Sequence, residues 1–289
     1  MRRILSAWLA LILLCAFAAA EPGIIGGADG PTMVFAAGEG EPAVDEAVPE
    51  IVNIVGEIES VEVVVGAGDS IPEVADPEPA DGQRLAGISI GVDPGHQEHA
   101  NSAKEPVAPG SSEMKARVAS GTQGVSTRIP EYVTNLEVGL KLRDALTALG
   151  ATVYMTRETH DVDISNMERA ILFNDLNVDL ALRIHCNGAE NRSVHGAGTY
   201  ARKTGEKQAE SERAATLILD ALCAATGARR DGVFLRDTYT GQNWSTVPCV
   251  MVEMGFMSNA EEDVKLNDPA YQDLLVQGMV EGICQYFDR

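Results

Sequence analysis

Positive charge is scarce in this chain of 289 residues: 22 lysines and arginines stand against 43 acids, a net charge of −21. The bases form no cluster of the kind that phosphate binding requires, so nucleic acid is excluded as a partner. No internal repeat and no separate binding module is visible. Cysteine is sparse as well. Apart from Cys15, the chain has Cys186, Cys223, Cys249 and Cys284, each in or beside an apolar stretch. Small buried thiols are common in such places, so four free thiols are expected even though export would permit disulfides.

What is present is unevenly distributed. The first twenty residues, MRRILSAWLALILLCAFAAA, carry two arginines, an apolar run and a small-residue end, the layout of a secretory signal peptide. Cys15 raises a lipid-attachment alternative, which the bulky Leu14 before it disfavours, and a retained anchor is the other alternative. Residues 21–84 hold fifteen acids and one base among Gly, Pro and Ala, and read as an acidic low-complexity spacer. Two patches interrupt it. Ile51–Val65 alternates and is β-prone, and Gly23–Phe35 is similar to a short glycine-rich stretch of sodium-pumping decarboxylase membrane subunits, too short to carry a function. Residues 85–289 are expected to form one α/β domain.

In that last part, strand and helix patterns alternate, which predicts a mostly parallel mixed sheet flanked by helices. The strand candidates are 88–92, 152–156, 180–185, 198–201 and 250–253; the helix candidates are 131–149, 164–177, 207–225 and 269–287. The first helix places Tyr132, Leu136, Leu140, Leu146 and Leu149 on an apolar stripe and is stopped by Gly150. The segment between His96 and Pro130 is a long loop rich in Gly, Ser and Pro, a length that marks a functional or disordered connection.

Three of these strands end on groups that carry chemistry. GISIGVDPGH ends at His96, DLALRIHCN passes through His185, and VPCVMVEMGF passes through Glu253. Ligand sites of parallel sheets gather at the carboxyl ends of strands. One such residue alone is usually structural. Two imidazoles and a carboxylate at one edge match the ligand set of a catalytic zinc that keeps a position open for water. Cys186 adjoins His185, but strand alternation points it to the other face.

The segments VDPGH (92–96), EYVTNLEVGLKL (131–142), MTRETH (155–160), RIHCN (183–187) and VEMGFMSNAEED (252–263) together resemble the zinc-dependent N-acetylmuramoyl-L-alanine amidases of bacterial cell-wall turnover, of the amidase 3 type. The resemblance covers about Ile88 to Phe287. It implies a phosphorylase/hydrolase-like α/β fold, zinc (Zn2+) as cofactor, peptidoglycan as substrate, and a secreted or cell-wall-associated enzyme. It implies His96 and His185 as metal ligands and Glu253 as the catalytic glutamate. For the third ligand two glutamates compete. The family's spacing of Glu to Asn-Leu selects Glu131, which also opens the helix near the sheet edge, whereas Glu137 lies about 9 Å further along the axis.

The chemistry implied is hydrolysis of the amide joining N-acetylmuramic acid to L-alanine. Zinc lowers the pKa of its water to about 7 and polarises the carbonyl, while Glu253 moves the proton. There are departures from the family: Gln97-Glu98-His99 follow DPGH where glycines are usual, and the span to Glu131 is long. His99, His160 and His195 are expected to be loop residues, and Arg157 and Arg169 structural ion-pairing residues. Two alternatives remain at this point: a zinc exopeptidase on a similar fold, which the Gly-Phe-Met-Ser-Asn block disfavours, and a non-catalytic wall-binding module.

Overall fold

A computed structural model describes residues 83–289. The expected signal peptide with Cys15, and the acidic segment as far as residue 82 with its patches at 23–35 and 51–65, lie outside the described residues. At the start of the described part, Arg84 donates to the Arg289 carbonyl at 2.7 Å and pairs with Glu281 at 3.3 Å, and Leu85 is fully buried.

The strands are β1 (Ser89–Pro94), β2 (Asn101–Pro106), β3 (Met114–Val118), β4 (Thr152–Met155), β5 (Leu180–Asn187), β6 (Ala197–Ala201), β7 (Arg230–Leu235) and β8 (Cys249–Phe256). The helices are α1 (Glu131–Ala148), α2 (Asn166–Asp175), α3 (Gln208–Thr226), α4 (Thr240–Trp244), α5 (Ala260–Leu266) and α6 (Pro269–Tyr286). Six strands form one sheet in the order β4-β1-β5-β8-β6-β7, and β2 and β3 form a separate antiparallel hairpin. Strands β4, β1, β5 and β8 are mutually parallel, whereas β6 runs antiparallel to β8 and carries β7 parallel to itself. The sheet is thus mixed, with its parallel half holding the three strands that end on His96, His185 and Glu253.

Strand alternation divides the core. Ile90, Val92, Leu180, Leu182, Ile184, Val250 and Val252 face α1, α3 and α6 in the main cluster. Residues of the opposite parity face α2, where Phe173 packs with Ala181 and Cys249 and lies against Gly91. At about 1.5–3 kcal/mol for each fully buried aliphatic side chain, the larger cluster dominates the burial term. Cys186 belongs to that larger cluster, on the face opposite His185, and the four described cysteines are all free thiols.

Helix α1 differs from its sequence reading in one respect. Its buried apolar positions are Leu136, Val138, Leu142 and Leu146, while Tyr132 and Leu140 are half-buried. The helix is held between the sheet and α6, so the inward face is rotated from the expected stripe and takes in Thr134 and Asn135 as well. Gly150, at φ 88°, closes the helix end as expected. The 97–130 connection is not a plain loop: it holds the β2–β3 hairpin and then a strap, residues 119–130, which leads into α1.

Candidate metal centre

The site begins where β1 ends. After Pro94 the chain turns, and His96 takes φ 59°, a left-handed conformation uncommon for any residue but glycine and one that persists where surrounding contacts fix it. Three side chains supply those contacts. Arg157 donates to the carbonyls of Pro94 (2.8 Å), Gly95 (3.0 Å), Tyr132 (2.8 Å) and Thr159 (3.1 Å). Arg169 donates to the Pro94 and His96 carbonyls at 3.0 and 3.3 Å, and Asn135 donates to Gly95 at 3.2 Å.

Beneath the turn lies a buried charge network. Asp93 meets Arg169 at 2.5 Å, Arg183 at 2.8 Å and the Thr156 hydroxyl at 2.6 Å. Burial works to raise the Asp93 carboxyl, but the two guanidiniums outweigh it and hold the group far below the ordinary carboxylate range. Removing one partner of such a buried set typically costs about 3–5 kcal/mol, because a desolvated charge is left behind. Arg169 is therefore an ion-pairing residue as the sequence suggests. Arg157 is not: its guanidinium bonds only to carbonyls, and burial, with Arg169 close by, lowers it to about 9. The reason is topological, since Asp93 is already occupied by Arg169 and Arg183.

Three residues meet above this base. His96, Glu131 and His185 are buried, and their ligand atoms all lie within 4.8 Å of one another. The His96 Nδ1 lies 3.0 Å from the Ala119 carbonyl. A carbonyl only accepts, so Nδ1 carries a proton, and Nε2, 3.3 Å from Glu131 Oε2, is the ring nitrogen turned to the cluster. His185 approaches from β5 with Nδ1 3.1 Å from Glu131 Oε1, and its Nε2 has no hydrogen-bond partner among the described residues. The ring fits only because residue 95 is glycine, where a Cβ would stand 2.1 Å from the imidazole.

Glu131 is the first residue of α1, and its carboxylate points to the histidines rather than along the helix. Its Oε1 accepts from Asn135 and from the Cys186 amide, both at 3.1 Å, and its Oε2 accepts from the Thr122 amide at 2.8 Å. Burial would raise this carboxyl, but the imidazoles of His96 and His185 outweigh that and hold it well below the ordinary range. For His185, burial lowers the imidazole despite the bond to Glu131, a direction that favours the neutral form a metal ligand needs. Two imidazoles and a carboxylate around one point form an N2O donor set, and such a cluster can hold a metal ion.

Glu253 stands on β8 in register with His185 on β5 and with Gly198 on β6. Register partners on neighbouring strands lie about 4.8 Å apart and share a face, so Glu253 flanks the histidine while remaining almost wholly buried. The competing glutamate is elsewhere: Glu137 is exposed on α1 and accepts from Gln272 at 2.9 Å. His99 and His195 are exposed, the latter against its own Ser193 carbonyl, and His160 is half-buried against the Tyr132 ring. Gln97, where glycine was the usual family residue, is buried and braces the turn by bonds to Ile164 and the His99 carbonyl.

Several parts of this site left little trace in the sequence. For Asp93 and Arg183 the signal is a charge inside each of two apolar strands, which points to a buried pair. The Ala119 carbonyl and Thr122 amide are backbone groups and carry no residue signature.

Comparison with known proteins follows the same residues. The family model described as N-acetylmuramoyl-L-alanine amidase matches residues 90–285. The N-acetylmuramoyl-L-alanine amidase LytC of Bacillus subtilis is 28% identical over 203 residues, which cover 70% of this chain and 36% of that protein, so the match spans about a third of the relative's length. The germination-specific N-acetylmuramoyl-L-alanine amidase of the same species is 31% identical over 178 residues, covering 56% of this chain and 73% of the relative. Among solved structures, the N-acetylmuramyl-L-alanine amidase of Mycobacterium smegmatis aligns with a TM-score of 0.65 at 25% identity, over 71% of this chain and 98% of that one.

Proposed function

The chain belongs to the N-acetylmuramoyl-L-alanine amidase family, and on that premise we propose that it is a zinc enzyme hydrolysing the amide between N-acetylmuramic acid and the L-alanine of peptidoglycan stems. The observation that carries this reading is the convergence of His96, Glu131 and His185 on one point, with Glu253 on the adjacent strand. In this reading the three are the metal ligands and Glu253 is the acid–base residue. Residues 85–289 are the catalytic unit, with 1–20 an export signal and 21–84 a spacer dispensable for chemistry. The enzyme then acts on the cell wall after export. Among the described residues no helix is long and apolar enough to cross a membrane.

Zinc, when bound, supplies a Lewis acid for the scissile carbonyl and water of lowered pKa. The protein's own groups do the rest. Ala119 fixes the His96 tautomer, and Thr122, Asn135 and Cys186 fix the Glu131 carboxylate, so neither ligand has to reorient. Glu253 accepts the proton of the attacking water as oxygen bonds to the lactyl carbonyl carbon. It then delivers that proton to the alanine nitrogen as the C–N bond breaks. Its near-complete burial between β5 and β6 keeps the side chain from swinging away between the two transfers.

The test is metal content and muropeptide release for His96→Ala, Glu131→Ala, Glu137→Ala and Glu253→Gln, each in the full chain and in one starting at Asp81. Ala at His96 or Glu131 should abolish both properties, and Ala at Glu137 should change neither. Gln at 253 should keep zinc near one per chain while the rate falls at least ~10²-fold. Full activity in Glu253→Gln sinks the mechanism, and zinc loss only in Glu137→Ala sinks the ligand set. An inactive or insoluble short chain sinks the boundary.

A further inference from the structure

We propose that Asp263 is a positioning residue for the His96–Glu131–His185 cluster, acting through the 119–130 strap; the inference rests on the reading of that cluster as a metal site. The first turn of α5 carries three acids, Glu261, Glu262 and Asp263. Acids in a first turn ordinarily serve the helix's own N-terminus. The structure gives them different work. Glu261 is exposed, and Glu262 accepts from the amides of Gly196 and Phe256, both at 2.8 Å.

Asp263 turns away from its helix. It is fully buried, and one oxygen accepts from the amides of Ser126 (2.6 Å) and Thr127 (2.8 Å). The other accepts from the Thr127 hydroxyl at 2.7 Å and from Asn267 at 3.2 Å. The fit is tight enough that a Cβ on Gly124 would stand 2.1 Å from the carboxylate. Two lesser bonds follow the same line, Val125 to the Met257 carbonyl at 2.9 Å and Ser126 to the Ala260 carbonyl at 3.3 Å. Asn267 closes a second route, because its oxygen accepts from Thr134, one turn after Glu131 on α1.

The other end of this strap is the cluster itself. The Ala119 carbonyl accepts from His96 Nδ1 and the Thr122 amide donates to Glu131, while the Thr122 carbonyl accepts from the Glu131 amide at 3.0 Å. Gly121, at φ 74°, lets the backbone pass so closely that a Cβ would lie 2.7 Å from the Glu131 carboxylate and 2.9 Å from the His96 ring. A carboxylate ten residues after Glu253 therefore holds the segment that orients two of the three proposed ligands. Outer partners of metal ligands usually matter at about 10–100-fold in metal affinity.

The experiment measures zinc affinity of the full chain against a chromophoric chelator, with thermal melting of the metal-free protein as the check on folding. Asp263→Asn keeps the shape but leaves one acceptor oxygen for two groups of donors, and its zinc dissociation constant should rise about 10–100-fold. Asp268→Ala is the control. Asp268 also accepts two backbone amides, those of Ala270 and Tyr271, but at the start of α6, away from the strap. It should lose stability and keep zinc affinity within about twofold of the parent, as a local helix cap would. An Asp263→Asn protein that binds zinc as tightly as the parent overturns the proposal. If that variant does not fold, Thr127→Val decides; it removes the hydroxyl bond to Asp263 and the weaker bonds that the hydroxyl accepts from the Ile129 amide (3.2 Å) and Asn267 (3.5 Å), and leaves the Thr127 amide bond in place. A several-fold loss supports the proposal and unchanged affinity overturns it. A parent chain that binds no zinc overturns the metal-site reading and this inference with it, an outcome distinct from failure at Asp263 alone.

Discussion

Two regions of different character meet at the cluster. The ends of β1, β5 and β8 bring His96, His185 and Glu253 as side chains on adjacent, hydrogen-bonded strands, and the register of the sheet sets their spacing. The strap from 119 to 130 brings backbone groups, the Ala119 carbonyl and the Thr122 amide, from a segment with no ladder behind it. The strand ends are fixed by apolar side chains buried on both faces of the sheet. The strap is fixed by a handful of polar bonds. Supplying the ligands and orienting them are thus separate tasks, and they should fail differently.

The sharpest contrast comes from two glycines. At Gly95, a methyl group would stand 2.1 Å from Cε1 and 2.2 Å from Nε2 of His185, a ring buried on all sides. Gly95→Ala must therefore expel the imidazole from its place opposite Glu131. It should lose zinc and at least ~10²-fold in rate while remaining folded, since the Gly95 amide bond to Ile184 at 2.8 Å is untouched. Metal analysis beside near-ultraviolet circular dichroism reads this out. Wild-type zinc content in Gly95→Ala would mean that the strand end is softer than its packing indicates.

Gly121→Ala probes the strap in the same way and should do less. The left-handed backbone and the 2.7 Å approach to Glu131 both oppose the substitution, but the strap has no strand ladder to hold it and can lift away. The ligands would stay and their orienting bonds would lengthen. Zinc affinity should weaken about 10–100-fold with stoichiometry preserved at high metal, as a zinc titration would show. A complete loss of binding, equal to that of Gly95→Ala, would erase the distinction between the two regions.

The same distinction explains what could be read from the sequence. Strands β1, β4, β5, β6 and β8 and helices α1, α2, α3 and α6 were visible because each carries a periodic apolar pattern over enough residues. The direction of β6 was not visible, because a five-residue strand reads alike whether its neighbour is parallel or antiparallel. Strand β7, RDGVFL, has a glycine inside and no buried residue, and α5, AEEDVKL, is too short and too polar to show a stripe. The hairpin and strap were hidden for a different reason. Their bonds to the cluster come from backbone atoms, and Asp263 had an ordinary reading as a first-turn acid. Glu131 could be preferred over Glu137 from the spacing to Asn-Leu that the resemblance implies and from its place at the helix start, whereas the geometry of its five partners could not be seen.

The smallest expected effect lies at the base of the strap, in the hairpin. Glu105 on β2 is buried; one carboxyl oxygen accepts from the Met167 amide at 3.3 Å, and the other has no hydrogen-bond partner among the described residues. Burial raises its pKa from 4.5 to about 7, against the opposing pull of the Ser165 hydroxyl, the Met167 amide and Arg117. Between pH 4.5 and 7 the folded protein therefore holds a proton that the unfolded chain has lost. Stability falls as the pH rises through that window and levels off above it. Glu105→Gln mimics the protonated acid at every pH, so it should melt close to the parent at pH 5 and above it at pH 8. The gap should be a few degrees, since about 1 kcal/mol moves the melting temperature of a domain this size by ~2–4 °C. Zinc affinity should change by less than about twofold, because Glu105 supports the hairpin and the cluster's orienting bonds arise after it, at 119 and 122. Melting curves at the two pH values, with a zinc titration at pH 8, test both halves. A gap that does not widen from pH 5 to pH 8 would show the charged carboxylate to be accommodated at the start of α2. A loss of zinc affinity would show that the hairpin and the strap act as one piece.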